Sequence, residues 1–542
     1  MKSNQKSKII NLILLGIIVA LSPIITTNSI NSIINSNSNS GYSDSVILDN
    51  ENLKISTISG KIHIDGNSGW IDFRNAGNCT GQGTYSNSYV IEDLIIDGGG
   101  SGNCILIENS DVYFRIENCT VYNAEFSGIK LDKVENGTLI DNICSFNNYA
   151  GIRLSTDCYN NTISGNNANN NNDGIELFLC NNNTISGNTA INNTDGIYLW
   201  SSDNNTISGN TANNNDQGIY IWHSDNNNIM GNNANNNNRG IVLASSVDNV
   251  ISGNIMNECG LEVSGPLQQL LPQNIDTTNL INGKPLYYYF NEINLGSNNF
   301  TNTGQVILVN CNDSLIDNLN ISHTSTGISL HFCNNNTISG NNATNNIDGI
   351  YLWSSDNNTI SGNIMDSNDD YGINLMYSDN NTLSGNIATN NKNSGIILQN
   401  NCTYNTLSDN TAINNHWGGI ILLDSDNNIV LGSIANNNEV GISLSESNSN
   451  TVSENNASNN DYGIYLYHSD NNIISLNTLI DNEFSCIYQS YCNNNIIENN
   501  YCPIEDSTIP GYNLFFSFGI LFVLSIIIMK KIRKSWKNNS KF

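Results

Sequence analysis

The chain has 542 residues, with 19 lysines and arginines against 48 aspartates and glutamates, a formal net charge of −29. So large an acidic excess argues against a nucleic-acid partner, which needs a basic face for its phosphates. Lys2, Lys6 and Lys8 precede Ile9, and Lys530, Lys531, Arg533, Lys534, Lys537 and Lys541 follow Met529, so the middle is strongly acidic and suits a surface facing salt, divalent cations or the cell exterior.

Residues 1–27 begin with basic residues and continue as the apolar run Ile9 to Ile25, the pattern of a secretory signal or an uncleaved anchor. Residues 28–42 are a low-complexity Asn, Ser and Ile linker. Residues 43–103, with Trp70 and the turn Gly98-Gly99-Gly100, have the irregular strands expected of a cap over the open end of a solenoid.

Residues 104–256 carry the organising pattern. Asn-Thr-Ile-Ser-Gly-Asn at 161–166 recurs with Ile163, Ile185, Ile207, Ile229 and Ile251 each 22 residues apart. A second phrase, Gly-Ile-x-Leu or Gly-Ile-x-Ile, starts at Gly174, Gly196, Gly218 and Gly240. A fixed period in this range marks a solenoid whose units bury apolar residues only by stacking. The apolar positions alternate, as in Ile197 and Leu199, which puts them on one face of a short strand and leaves no room for helices. The fold expected is an all-β, right-handed parallel β-helix with coils of about 22 residues, neighbouring strands about 4.8 Å apart and equivalent residues in columns.

The count breaks over residues 257–304, an insert that holds Pro266, Pro272 and Pro285. It is expected to bulge from the rod or to form a small strand pair on it. The ruler resumes over residues 305–503, at Leu315, Ile338, Ile360, Leu383, Leu407, Val430, Val452, Ile474 and Ile497. Sixteen units from Ile116 to Ile497 would form a rod of about 75–80 Å. Residues 512–529 are uncharged, apolar and long enough for a transmembrane helix, with the basic tail 530–542 on the cytoplasmic side and the acidic middle on the extracytoplasmic side.

Several columns suggest chemistry. Outward positions of consecutive coils hold Phe178, then Tyr198 and Trp200, then Tyr220 and Trp222, with Tyr351 and Trp353 further on. Aromatics repeated on the solvent side of a sheet make a platform for sugar rings, or a face that loops or a partner chain cover. Asp203, Asp225, Asp356 and Asp379 fall at one coil position, where aligned carboxylates would share calcium or cap turns. Cys158 and Cys180, and Cys311 and Cys333, are each 22 apart, which brings them within disulfide range or leaves them as buried thiols. Asn160, Asn182, Asn204, Asn335, Asn357 and Asn380 open Asn-x-Ser/Thr sequons that an exported protein would offer for glycosylation. The turn asparagines, such as Asn188, Asn210 and Asn232, suit amide ladders.

The repeated phrases and the insert segment Asn282-Gly283-Lys284-Pro285-Leu286-Tyr287-Tyr288 resemble archaeal parallel β-helix repeat proteins related to the NosD periplasmic family, over about residues 85–500. That resemblance implies a right-handed, pectin-lyase-like fold. The C-terminal Ile509-Pro510-Gly511-Tyr512 is similar to archaeal surface-sorting signals with Pro-Gly-Phe, although Tyr512 replaces the Phe.

The reading is therefore an extracytoplasmic, membrane-anchored cell-surface rod that is structural or binds carbohydrate, with polysaccharide or other surface proteins as partners. The alternative is a lyase, hydrolase or epimerase acting on acidic glycans. Against it, the coils hold only Arg115, Lys130, Lys133, Arg153, Arg239, Lys284 and Lys392 as scattered bases. Asp369-Asp370 is the only adjacent Asp pair for a carboxylate mechanism. No cofactor is expected, calcium at the aspartate column being the alternative to turn capping there. Copper, suggested by the family name, finds no clustered ligands, because His63, His223, His323, His331, His416 and His468 fall in separate coils.

Overall fold

The computed structural model describes residues 57–503. Residues 1–27, the linker 28–42, the apolar span 512–529 and the tail 530–542 lie outside the described residues. Among those described, no helix is long and apolar enough to cross a membrane. The chain is an all-β parallel solenoid of about 18 turns.

The predicted columns are its registers. Ile163, Ile185, Ile207, Ile229 and Ile251 pair in sequence between parallel strands. So do Ile175, Ile197, Ile219 and Ile241, alongside Leu177, Leu199, Ile221 and Leu243. All are buried in the interior. In the second block the column holds Ile316, which pairs with Ile338. Leu315, the residue expected there, pairs with Thr337 and is partly exposed.

Polar columns hold the corners. Asn188 accepts the Asn166 amide N–H at 2.9 Å and donates to the Ile163 carbonyl at 2.9 Å, while its own backbone N–H reaches Asn210 at 2.9 Å. Asn210 continues to Asn232 and Asn232 to Asn254, each at 2.9 Å. Each buried amide thus satisfies main-chain groups that the turn leaves without a ladder partner, a buried cost otherwise.

The glycine of Gly-Ile-x-Leu has a packing reason that the sequence alone hides. A Cβ on Gly196 would lie 2.5 Å from the Gly218 carbonyl oxygen and 3.0 Å from the Ala212 Cβ. Ala168, Ala190, Ala212 and Ala234 are fully buried, so the coil narrows where two small residues meet.

The cysteines belong to another ladder. Cys180 N–H donates to Ser202 Oγ at 3.0 Å, and Ser202 N–H to Ser224 Oγ at 2.9 Å. Likewise Cys311 N–H donates to Cys333 Sγ at 3.3 Å and Cys333 N–H to Ser355 Oγ at 3.0 Å. Cys158, Cys180, Cys311 and Cys333 stack as expected but remain buried thiols, correcting the expected bridges Cys158–Cys180 and Cys311–Cys333. Their sulfurs bond to main-chain groups as serine does at the same position. The bridge present joins Cys486 and Cys502 at the last coils.

The entry end is covered by an α-helix, Gly66–Asn75, whose Trp70 is fully buried and stacks on Tyr89 with ring centroids 5.2 Å apart. The Trp70 indole N–H donates to Ser110 Oγ at 3.1 Å.

The insert does more than bulge from a straight rod. Its strand Leu261–Ser264 ends the nine-stranded Gly-Ile sheet of the first block, pairing with Arg239–Ala244. A strand pair does form: Leu280–Ile281 runs antiparallel to Lys284–Phe290. Between them Asn282 and Gly283 have φ of 51° and 75°, the conformation of a tight type I′ hairpin, for which Asn-Gly is favoured. This reversal starts a new long sheet, which continues parallel through Gln305–Val309, Thr326–His331 and Asp348–Trp353.

Both faces of that sheet are buried at its start. Val306 and Leu308 face the second core, whereas Ile307 and Val309 close the end of the first. Side chains seal the joint: Gln305 accepts from Leu261 N–H at 3.0 Å and donates to Leu261 O at 2.8 Å, and Ser325 Oγ accepts from Gly260 N–H at 3.1 Å. The two solenoid blocks therefore meet end against side, in place of the single straight rod expected.

Candidate functional site

The corner between the blocks is where outward-facing columns converge. A cavity of about 190 Å³ there is lined by Arg239, Glu262 and Ser264 from the first block and by His331, Asp348, Tyr351, Trp353, Asp370 and Asn374 from the second.

One wall is the outer face of the first long sheet. Because strands are in register, Tyr198 stacks on Tyr220 with centroids 5.1 Å apart, and Trp200 on Trp222 at 4.9 Å. Phe178 meets Trp200 edge-on at 4.9 Å. All five rings are half-buried. The tyrosine column continues through Val242 to Glu262 and the tryptophan column through Ala244 to Ser264, so both rows run into the corner. On the far side Arg153 pairs with Glu176 at 2.8 Å, Tyr149 donates to Glu176 at 3.1 Å, and the Arg153 guanidinium sits 4.9 Å from the Tyr149 ring centre. Asp173 and Asp195 pair across neighbouring strands. Burial, then the Asp195 charge, pushes Asp173 up to about 8; burial, then Asp216, pushes Asp195 up to about 7.

The other wall is the outer face of the second long sheet. His331 lies 5.8 Å from Tyr351 and 6.4 Å from Trp353 between ring centres. Tyr351 donates to Met376 Sδ at 3.3 Å.

Charge gathers at the floor. Arg239 Nε and Glu262 Oε2 are 2.5 Å apart, and Glu262 holds the guanidinium above its usual range. Asp348 accepts from Tyr371 N–H at 3.1 Å and Asn374 Nδ2 at 3.4 Å. Burial, reinforced by the Asp370 charge, still raises its carboxyl to about 7. Burial also raises Asp370, opposed by a 2.8 Å bond from Asn393 and by Arg239. His331 is 2% exposed, burial lowers it to about 4, and its Nδ1 has no hydrogen-bond partner. At neutral pH the floor offers a neutral imidazole, His331, and a partly protonated carboxyl, Asp348, beside aromatic rings.

Of the other residues expected to carry function, Asp369 and Asp370 diverge. Asp370 enters the cleft, while Asp369 is exposed and pairs with Lys392 at 2.6 Å. The aspartate column forms a turn ladder: Asp203 accepts from Asp225 N–H at 2.7 Å, Asp356 from Asp379 N–H at 2.8 Å, and Asp379 from Thr403 N–H at 2.6 Å. Among the described residues no group of three or more His, Cys, Asp or Glu is placed to hold a metal. Asn160, Asn182, Asn204, Asn335, Asn357 and Asn380 all have φ of 54–59° and are exposed at the corners.

Two segments, residues 86–266 and 399–502, together more than half the chain, match the family described as periplasmic copper-binding protein, NosD. The chain belongs to the NosD family. Residues 286–433 match the right handed beta helix region. No curated protein matches the chain. Among solved structures, a mutant of the periplasmic alginate epimerase AlgG is 15% identical, with 76% of this chain and 85% of that chain covered and a TM-score of 0.35. The A-module of the mannuronan C-5 epimerase AlgE6 of Azotobacter vinelandii is 11% identical, with 75% and 92% covered and a TM-score of 0.26. The tailspike protein gp49 of Pseudomonas phage LKA1 is 14% identical, with 62% and 50% covered and a TM-score of 0.25.

The NosD description names copper, but the residues present do not fit a copper centre. His331 is the one histidine lining the cleft, and the thiols of Cys158, Cys180, Cys311 and Cys333 donate to main-chain carbonyls.

Four residues of the cleft, Arg239, Glu262, His331 and Asp348, escape any reading by repeat count. They lie in coils up to 109 positions apart in the numbering, from Arg239 to Asp348, and only the reversal at Asn282-Gly283 brings their faces together. Tyr351 and Trp353 were legible because their columns are, and Asp370 because it stands in the adjacent pair Asp369-Asp370.

Proposed function

We propose that this NosD-family protein is an extracytoplasmic carbohydrate-binding protein whose aromatic wall and corner cleft hold one glycan chain. The observation that carries this reading is the pair of ring columns, Tyr198–Tyr220 and Trp200–Trp222, running toward a cleft with Tyr351 and Trp353 on its opposite side. The stacked columns present their ring edges and end faces as a continuous apolar strip against which the C–H faces of sugars can pack, and the small cleft suits one ring held by a few polar groups. The periplasmic description of the family supports the extracytoplasmic location. Membrane anchoring through the apolar run 512–529 belongs to this proposal.

Titration of oligosaccharides monitored by tryptophan fluorescence tests it. Binding should quench Trp200 and Trp222, and Trp222→Ala should weaken affinity about tenfold for the loss of one stacking ring. No quenching across neutral, amino and acidic oligosaccharides would reject the reading.

A second reading, glycan processing, is favoured by Asp348, a carboxyl near neutrality beside Asp370 in the cleft. New reducing ends or unsaturated products, lost on Asp348→Asn, would establish it.

A further inference from the structure

Resting on the glycan-binding reading, we propose that the corner cleft selects a sugar carrying a free ammonium group, a de-N-acetylated amino sugar, over neutral and acidic sugars. Three carboxyl groups, Glu262, Asp348 and Asp370, line the cavity, with Arg239 as the one guanidinium. That guanidinium is bound to Glu262, and Lys392 lies on the Asp369 side. The cleft field is therefore acidic, which repels uronates and attracts a cation.

The second observation is independent of charge. His331 lines the cleft from the second sheet and is 2% exposed, with Nδ1 lacking a hydrogen-bond partner. A buried polar nitrogen without a bond is costly, and a ligand donor or hydroxyl at the cleft floor would satisfy it. Tyr351 and Trp353, set edge to face with centroids 6.4 Å apart, line the same side, where an aromatic face turned to the cleft attracts a cation. The groups facing Asp348 are Asp370, Glu262, Arg239, Tyr351, Tyr371 and Asn374. An ammonium there replaces the proton that Asp348 holds near neutrality, so binding should release protons.

Calorimetry with the full chain at pH 6.5 would compare a glucosamine oligomer, its N-acetylated counterpart and a galacturonate oligomer of equal length. The expected result is at least tenfold tighter binding of the amine form, with proton release detected by changing the buffer. Asp348→Asn should reduce that preference to less than threefold. Should that variant fail to fold, Asp370→Asn removes a neighbouring charge of the same cleft and should also lower the preference. Equal or tighter binding of the N-acetylated or acidic oligomer overturns the amine selectivity but leaves the glycan reading intact. Binding of none of the three oligomers rejects both.

Discussion

Ile307 and Leu308 are neighbours in one strand, both fully buried, and they lie in two different cores. One strand thus terminates the first solenoid with one face and builds the second with the other. Truncating either side chain should cost about 2–4 kcal/mol, by lost burial plus the cavity left behind. Hydrogen exchange separates the two sites. Ile307→Ala should raise exchange in Leu261–Ser264 and Leu280–Ile281, and Leu308→Ala in Thr326–His331.

The Gly-Ala constriction predicts opposite responses at two glycines of one coil. Gly196→Ala pushes a methyl against backbone 2.5 Å away and should lower stability by more than about 1 kcal/mol. Gly209 has φ of 61° and open space around its missing side chain. Gly209→Asn, a residue that tolerates this conformation, should be nearly neutral in chemical denaturation.

The ladder predicts graded effects. Asn210→Ala removes the acceptor of Asn188 N–H and the donor to Ile185 O, both buried, and should cost about 2–4 kcal/mol. Asn210→Ser should cost less, because Ser433 already accepts from Asn410 N–H at 3.2 Å in the equivalent column of the second block. Equal losses for the two variants would show that the hydroxyl cannot substitute for the amide.

Asp173 predicts the pH dependence. Its folded carboxyl titrates near 8, above the ordinary 3.8, so the folded state holds this proton more tightly than the unfolded chain does. The associated stability is complete below about pH 4 and is lost as pH rises through 8. Thermal midpoints should fall across this window, and Asp173→Asn should flatten the fall, adding about 1–3 kcal/mol at pH 8. Asp195 and Asp348 act in the same direction with values near 7.

Cys180→Ser should leave stability within about 1 kcal/mol, since Ser202 and Ser224 fill the same ladder in the next coils. Alkylation under denaturing, non-reducing conditions should label Cys158, Cys180, Cys311 and Cys333 and leave Cys486 and Cys502 unlabelled.

The coil was legible because each level of the sequence repeats it: Ile163 to Ile251 on a strict count, glycines in step, asparagines at every corner. The aromatic wall followed, because Tyr198, Trp200, Tyr220 and Trp222 sit at outward positions of strands whose register the count sets. The choice between bridges and buried thiols stayed open in the sequence because spacing gives proximity but not the hydrogen bonds that make cysteine a stand-in for serine. The cleft was hidden for a different reason. Its walls are ordered by the Asn282-Gly283 reversal, where periodicity stops, and a period carries no information about the angle at which it is broken.

Each coil rests only on the coils above and below it, while the corner is fastened by Gln305 and Ser325 to the last strand of the first block. Excising one 22-residue period around Ile185 and Ile207 would therefore shorten that arm by about 4.8 Å and remove one pair of stacked rings, with the corner unchanged. Copy number alone can set how long a chain the arm accommodates, independently of what its end selects.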